Sequence, residues 1–144
     1  MNYILDTNVI SEAIVKQPNQ QVINWLKTTD SQRLYLSVVT IGEVKKGIEK
    51  LPQSHRRENI ENWFENDLFT RFSGRILEVD ISVMLIWGEL VGKLEKEGRK
   101  LPAFDSLIAA TAKHHNYTLV TRNEKDFAGI DIVVFNPFKG LNNE

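Results

Sequence analysis

Short apolar runs alternate along this chain with longer segments of helical period. Residues 3–5, 34–39, 117–120 and 132–135 are brief, rich in β-branched and aromatic side chains and bounded by polar or turn residues, which predicts strands. Residues 19–27 put Val22, Ile23 and Leu26 on one helical face, and residues 56–69 do the same with Ile60, Trp63 and Phe64, followed by Leu68. From Asp80, a helix-entry residue, Val83, Trp87, Leu90 and Leu94 keep the helical period until Gly98, a natural stop. Pro102 then predicts the start of a helix through Ala112, because its fixed φ suits a first turn. Strands alternating with helices in this way predict an α/β fold with a central parallel sheet flanked by helices. No internal repeat and no linker interrupts the pattern, so residues 1–138 read as one domain and residues 139–144 as a loose tail.

Parallel strands share a carboxyl edge, and residues just beyond that edge converge on one crevice. Asp6, Thr7 and Asn8 follow the first run, and Glu43 follows the second within about a turn of helix. Asp105 falls in the turn and helix start opened by Pro102, and Asn123 and Asp126 follow residues 117–120. Each acid also has a purely structural reading. Thr40-Ile41-Gly42-Glu43 matches a capping box, with Glu43 bonding back to the Thr40 amide. Asp105 suits the helix dipole, by roughly 0.3–1 kcal/mol. Asp6-Thr7-Asn8 has good turn and cap residues, and Asp126 suits an exposed loop. None of these readings explains why all four acids fall on the same topological edge. Carboxylates gathered in one crevice repel each other and favour a hard divalent cation with oxygen ligands.

Composition permits this reading and removes others. A chain of 144 residues with 42% hydrophobic and 26% charged residues is that of an ordinary globular domain. Its net charge of −1 argues against a general electrostatic grip on nucleic acid, so any such contact must be local or lean on bound cations. The absence of cysteine excludes disulfides, thiolate zinc sites and cysteine nucleophiles, and fits a reducing cytoplasm. No run approaches the ~18 apolar residues of a membrane span, and Asp6 stands where a signal peptide would need apolar residues. A cytoplasmic protein without membrane contact is expected.

Taken together, Asp6-Thr7-Asn8, Glu43 within Thr40-Ile41-Gly42-Glu43-Val44, Asp105 within residues 102–110 and the stretch Thr121-Arg122-Asn123-Glu124-Lys125-Asp126-Phe127 resemble the PIN-domain ribonucleases. Within that group the chain is similar to the VapC-type toxins of bacterial toxin–antitoxin pairs, FitB-like members included. The resemblance implies a three-layer PIN-like fold and an Mg²⁺- or Mn²⁺-dependent endoribonuclease. Carried onto this chain, it makes Asp6 and Asp105 the principal metal ligands and Glu43 the third, directly or through water. Thr7 and Asn8 take supporting roles. Many relatives have an acid where Asn123 stands, which lowers the negative charge here and makes Asp126 the candidate fourth acid. The same resemblance implies a homodimer and a small VapB-type antitoxin whose C-terminal segment covers the site, with DNA engaged only through the antitoxin.

The basic residues that are candidates for guiding RNA are Lys45, Lys46, Lys50, Arg99, Lys100 and Arg122; most read as solvated helix faces, and Arg122, flanked by Thr121 and Asn123, is the candidate phosphate contact. His114 and His115 end a helix, where cations are favoured, and take no catalytic role. Two other classes compete: a non-enzymatic PIN-like scaffold using its acids as caps, and a metal-dependent phosphatase. The scaffold would be favoured by loss of acids, and the phosphatase by a second aspartate in the first motif, which Thr7-Asn8 lacks. Which RNA is cut is not written in any short motif, since RNA recognition rests on shape and unstacked bases.

Overall fold

A computed structural model describes residues 1–139. Strand β1 (Tyr3–Leu5) is followed by the short helix α1 (Thr7–Ile10) and by α2 (Gln20–Thr28), which Asn19 caps by accepting from the Gln21 and Val22 amides. Strand β2 (Leu34–Ser37) runs directly into α3 (Val38–Glu49). Next come α4 (His55–Asn62), a π-helical turn (Trp63–Leu68) and α5 (Phe69–Arg71), continuous with one another, and then β3 (Ile76–Leu77). The chain continues through α6 (Ile81–Lys96), α7 (Ala103–His115), β4 (Thr118–Val120) and β5 (Val134–Phe135). The strands form one parallel sheet in the order β3-β2-β1-β4-β5.

Successive residues of a strand face opposite sides of a sheet, and this makes three layers. Leu5 points into a cluster with Val22, Leu26, Val44, Ile48 and Phe64, whereas Ile4 points into one with Leu90, Leu94, Ile108, Ala112 and Leu119. Both Ile4 and Leu5 are fully buried, so helices cover β1 on both faces. The strand order reverses at β1, with β2 on one side and β4 on the other. The loops leaving β1 and β4 therefore open a crevice at the carboxyl edge, the standard ligand position in such sheets.

Several boundaries differ from the sequence expectation, each for a local reason. The second strand stops at Ser37, not residue 39, because the Ser37 hydroxyl accepts from the Val39 amide and caps α3. The cap overrides the β preference of Val38 and Val39. Helix α7 begins one residue later than expected, with Pro102 (ψ 146°) outside it, and runs on to His115, where Asn116 takes a left-handed conformation (φ 59°). The last strand is only two residues long. Strand β3 has no counterpart in the sequence pattern; two residues, Ile76 and Leu77, are too few to show a period. The tail expected over residues 139–144 lies outside the described residues apart from Lys139, which pairs with Glu124.

Candidate active site

Asp6 sits where β1 gives way to α1. Its backbone stays extended (ψ 158°), and its carboxylate caps α1 by accepting the Thr7 amide at Oδ1, 2.8 Å away. The Asp6 amide bonds to the Val120 carbonyl at 2.9 Å, so the ends of β1 and β4 are held side by side. Oδ2 of Asp6 accepts from the Thr121 hydroxyl at 2.8 Å and from Asn8 Nδ2 at 3.4 Å. Asn8 bridges the two loops: Nδ2 also donates to Thr121 Oγ1 (3.3 Å), and Oδ1 accepts the Arg122 amide (3.1 Å). The capping that makes α1 start here is thus the same set of bonds that fixes the carboxylate.

Glu43 arrives from α3. Its Oε1 accepts from the Thr7 hydroxyl at 2.6 Å, a charge-assisted bond, and the Thr40 hydroxyl lies 3.2 Å from that of Thr7. The capping-box reading is therefore overturned. The cap of α3 is Ser37, Thr40 is buried inside the helix, and Glu43 turns toward α1 instead of back to the Thr40 amide.

Asp105 stands half-buried in the first turn of α7. Burial pushes its carboxyl up to about 6, with further contributions from the charges of Asp6, Glu43 and Asp126. Asp6, only 4% exposed, is also raised, chiefly by burial. Donation from Thr121, Thr7 and Asn8 opposes that rise, and the Glu43 charge adds to it. The structure thus brings Asp6, Glu43 and Asp105 into mutual electrostatic contact, and Asp126 into contact with Asp105. Among the described residues, no group of three or more His, Cys, Asp or Glu side chains is placed to hold a metal ion. The donor set still fits a hard cation that keeps water in its coordination shell, as Mg²⁺ does.

The outer residues divide. Asp126 is exposed in a short 3₁₀ turn (Glu124–Phe127), and its carbonyl accepts from Arg99. Asn123 contributes its backbone amide, donated to Thr121 Oγ1 at 3.1 Å. The Arg122 guanidinium lies 4.1 Å from the centre of the Phe138 ring. Arg99, a candidate for guiding RNA, uses its guanidinium to hold the Ala128 carbonyl at 2.8 Å, and Lys45 pairs with Glu49 at 3.2 Å. Thr121 and Thr40 both stand within the motifs that carry the resemblance, but the sequence assigns neither a site role of its own. A threonine at a strand end has no signature of its own, although Thr121 begins the same short motif as Asn123. Beside the acids opens a cleft lined by Thr7, Ser11, Glu43, Gly47, Arg56 and Ile60, continued by a second lined by Ile14, Asn59 and Trp63.

An acidic crevice at the switch point of a five-stranded parallel sheet, with helices on both faces, is the arrangement of a PIN domain. The family model described as PIN domain matches residues 3–133, and the chain belongs to that family. Among characterised relatives it is similar to the toxin FitB of Neisseria gonorrhoeae, 36% identical over 135 residues that cover 94% of this chain and 97% of that protein. It is also similar to the VapC ribonuclease Y4jK of Sinorhizobium fredii, 33% identical over 138 residues covering 94% and 97%. The solved structure of FitAB bound to an IR36 DNA fragment matches with a TM-score of 0.89 at 36% identity, covering 94% of this chain and 95% of that one.

Proposed function

We propose that this protein is a divalent-metal-dependent endoribonuclease, the toxin of a toxin–antitoxin pair. The observation that carries the reading is the convergence of Asp6, at the end of β1, Glu43, tied to it through Thr7, and Asp105, in the first turn of α7, on one sheet edge, where Asp105 is raised by burial and by its acidic neighbours. A fold that gathers such a cluster bears a standing electrostatic cost, which a bound cation removes. In this reading Asp6 and Asp105 are the principal ligands of Mg²⁺ or Mn²⁺, and Glu43 joins through water. When bound, the cation polarises a phosphoryl oxygen and acidifies an attacking water. The chain's own residues orient and position. Thr7 fixes Glu43, Asn8 and Thr121 fix Asp6, Asp126 adds negative charge beside Asp105, and Arg122 meets a substrate phosphate.

The similarity to FitB and to a VapC ribonuclease supports the toxin reading, and the FitAB structure on DNA supports a partner that carries the DNA contact. A VapB-type antitoxin segment is proposed to lie along the cleft past Glu43 and Arg56, where a cationic side chain would meet the acids. A second copy of the chain is proposed to cover Ile81 and Leu85, which are 80% and 66% exposed on one face of α6, and adjacent Met84. Sedimentation of Leu85→Glu as a monomer and wild type as a dimer would support that interface; two monomers would remove it. No helix among the described residues is long and apolar enough to cross a membrane. The site's position at a solvent-open sheet edge leaves it within reach of an RNA substrate, and the compartment proposed for that encounter is the cytoplasm.

The deciding experiment incubates structured and single-stranded RNA with the protein, with and without Mg²⁺ or Mn²⁺, beside a folded Asp6→Asn, Asp105→Asn double variant. Metal-dependent cleavage by the wild type alone is expected. Absence of cleavage by both proteins, with metal binding intact, would transfer the site to a scaffold or phosphatase role.

A further inference from the structure

The segment that follows β5 folds back on the loop that leaves β4. The Thr121 amide donates to the Phe135 carbonyl at 3.0 Å, so residues 121–124 and 136–139 leave the sheet edge side by side. Asn136 joins the two: its Nδ2 donates to the Arg122 carbonyl at 3.2 Å and to Glu124 Oε1 at 3.4 Å, and its Oδ1 accepts the Phe138 amide at 2.9 Å. Phe138 is half-buried against the core cluster that contains Leu5 and Val9, and the Arg122 guanidinium lies over its ring, 4.1 Å from the centre. Lys139 closes the turn by pairing with Glu124.

Arg122 is thereby held along its length. Its amide goes to Asn8 Oδ1 at 3.1 Å, its carbonyl to Asn136 and its guanidinium to Phe138. Asn8 also donates to Asp6 Oδ2, so one side chain registers Arg122 against the crevice. The positive charge is left available. Glu124, two residues on, is engaged by Lys139 and Asn136, which hold its carboxyl below the usual glutamate range. Among the described residues, no salt bridge takes the Arg122 guanidinium. Packing alone accounts for an arginine over a ring, but not for a nearby acid drawn away from it. A long cationic side chain gives up rotamer freedom when it grips an anion. Stacking on a ring restricts it beforehand and leaves the N–H groups at the guanidinium rim for another acceptor. We propose that residues 136–139 preset Arg122 as an anion receptor beside the crevice, with Phe138 as its positioning residue, and that the anion is a backbone phosphate of the RNA strand. The inference rests on the reading of Arg122 as a phosphate contact and adds the segment that makes the contact ready.

The test is a double-mutant cycle in the full-length Asp6→Asn, Asp105→Asn protein, which serves as a parent that does not cut its ligand. The probe is a fluorescein-labelled single-stranded RNA of mixed sequence, since a phosphate contact is indifferent to sequence. Its binding is followed by fluorescence anisotropy in the parent, with Phe138→Leu, with Arg122→Ala and with both, and thermal midpoints are recorded for each. Leaving a long side chain to be ordered on binding weakens affinity by ~2–10-fold. Phe138→Leu is expected to fall in that range in the parent and to have no further effect once Arg122→Ala is present. Phe138→Tyr, which keeps the ring, should bind as the parent does. Parent-like binding by Phe138→Leu, an equal loss with and without Arg122→Ala, or a loss in Phe138→Tyr as large as in Phe138→Leu would overturn the positioning role. Should the leucine variant not fold, Phe138→Met, of similar bulk and without a ring, takes its place in the cycle under the same criteria. Unchanged binding on Arg122→Ala alone, or no binding by the parent, would instead bring down the phosphate reading of Arg122 itself.

Discussion

Replacing Asp105 by asparagine should make the metal-free protein more stable. The carboxyl of Asp105 titrates near 6 in the folded protein against 3.8 for an unperturbed aspartate, so across that window the folded state holds a proton that the unfolded state has lost. Stability therefore falls as pH rises from 3.8 to about 6, and the loss is complete above that window. A shift of that size corresponds to at most about 3 kcal/mol at 1.36 kcal/mol per unit. Partial exposure of the side chain lets solvent screen part of it, which brings the expectation to ~1–2 kcal/mol. An asparagine side chain has a similar shape and no charge, so Asp105→Asn removes the penalty. For a chain of this size each kcal/mol moves the thermal midpoint by roughly 3 °C, giving a gain of about 3–6 °C. The assay is differential scanning fluorimetry in a chelator at pH 7.5 and again at pH 4. The gain should appear at pH 7.5 and shrink toward zero at pH 4, where the folded wild-type residue is protonated and the unfolded one is close to half so. An equal gain at both values, or none at pH 7.5, would refute the electrostatic origin. Added Mg²⁺ should stabilise the wild type and not the variant, reversing their order.

Three other changes probe the same crevice. Thr7→Val removes the donor to Glu43; an unfolding titration should show a loss of about 1 kcal/mol, while Thr7→Ser should restore both stability and RNA cleavage. Asp126→Ala should leave the thermal midpoint nearly unchanged, because its side chain is exposed, yet weaken metal affinity by removing a charge beside Asp105; unchanged affinity and cleavage would remove Asp126 from the site. Arg122→Ala should weaken binding of all RNA sequences alike and flatten its salt dependence, measured by filter binding. Loss of thermal stability with RNA binding intact would instead assign Arg122 to its packing on Phe138.

What can be read from the sequence, and what cannot, follows from the range of the interactions. Asp6, Asp105 and the α/β alternation are legible because caps, first-turn acids and hydrophobic periods act over a few residues. Glu43 is legible as an acid, but its partner is not: locally it completes a capping box with Thr40, and only the packing of α1 against α3 reveals that Ser37 takes the cap and Thr7 takes the glutamate. Thr121 is hidden for the same reason, since its meaning lies in Asp6, far away along the chain. Strand β3 is hidden by shortness. Ile76 and Leu77 are held by pairing with Leu36 and Ser37, not by any preference they display alone.

The pairing of β1 with β4 also sets when the crevice can exist. Asp6 and Thr121 are separated by 115 positions, and β1 cannot complete its central place until β4 has been made. A chain growing from its N-terminus folds what it can as it emerges, at ~5–20 residues per second. The α2–α5 half can begin to pack around β1 and β2 early, but Asp6 stays without its partner across the sheet through most of synthesis. An interrupted or truncated chain that ends before residue 121 thus carries at most three of the acids and no assembled crevice. For a nuclease made in the same compartment as the RNA it cuts, that order of assembly withholds activity from incomplete copies.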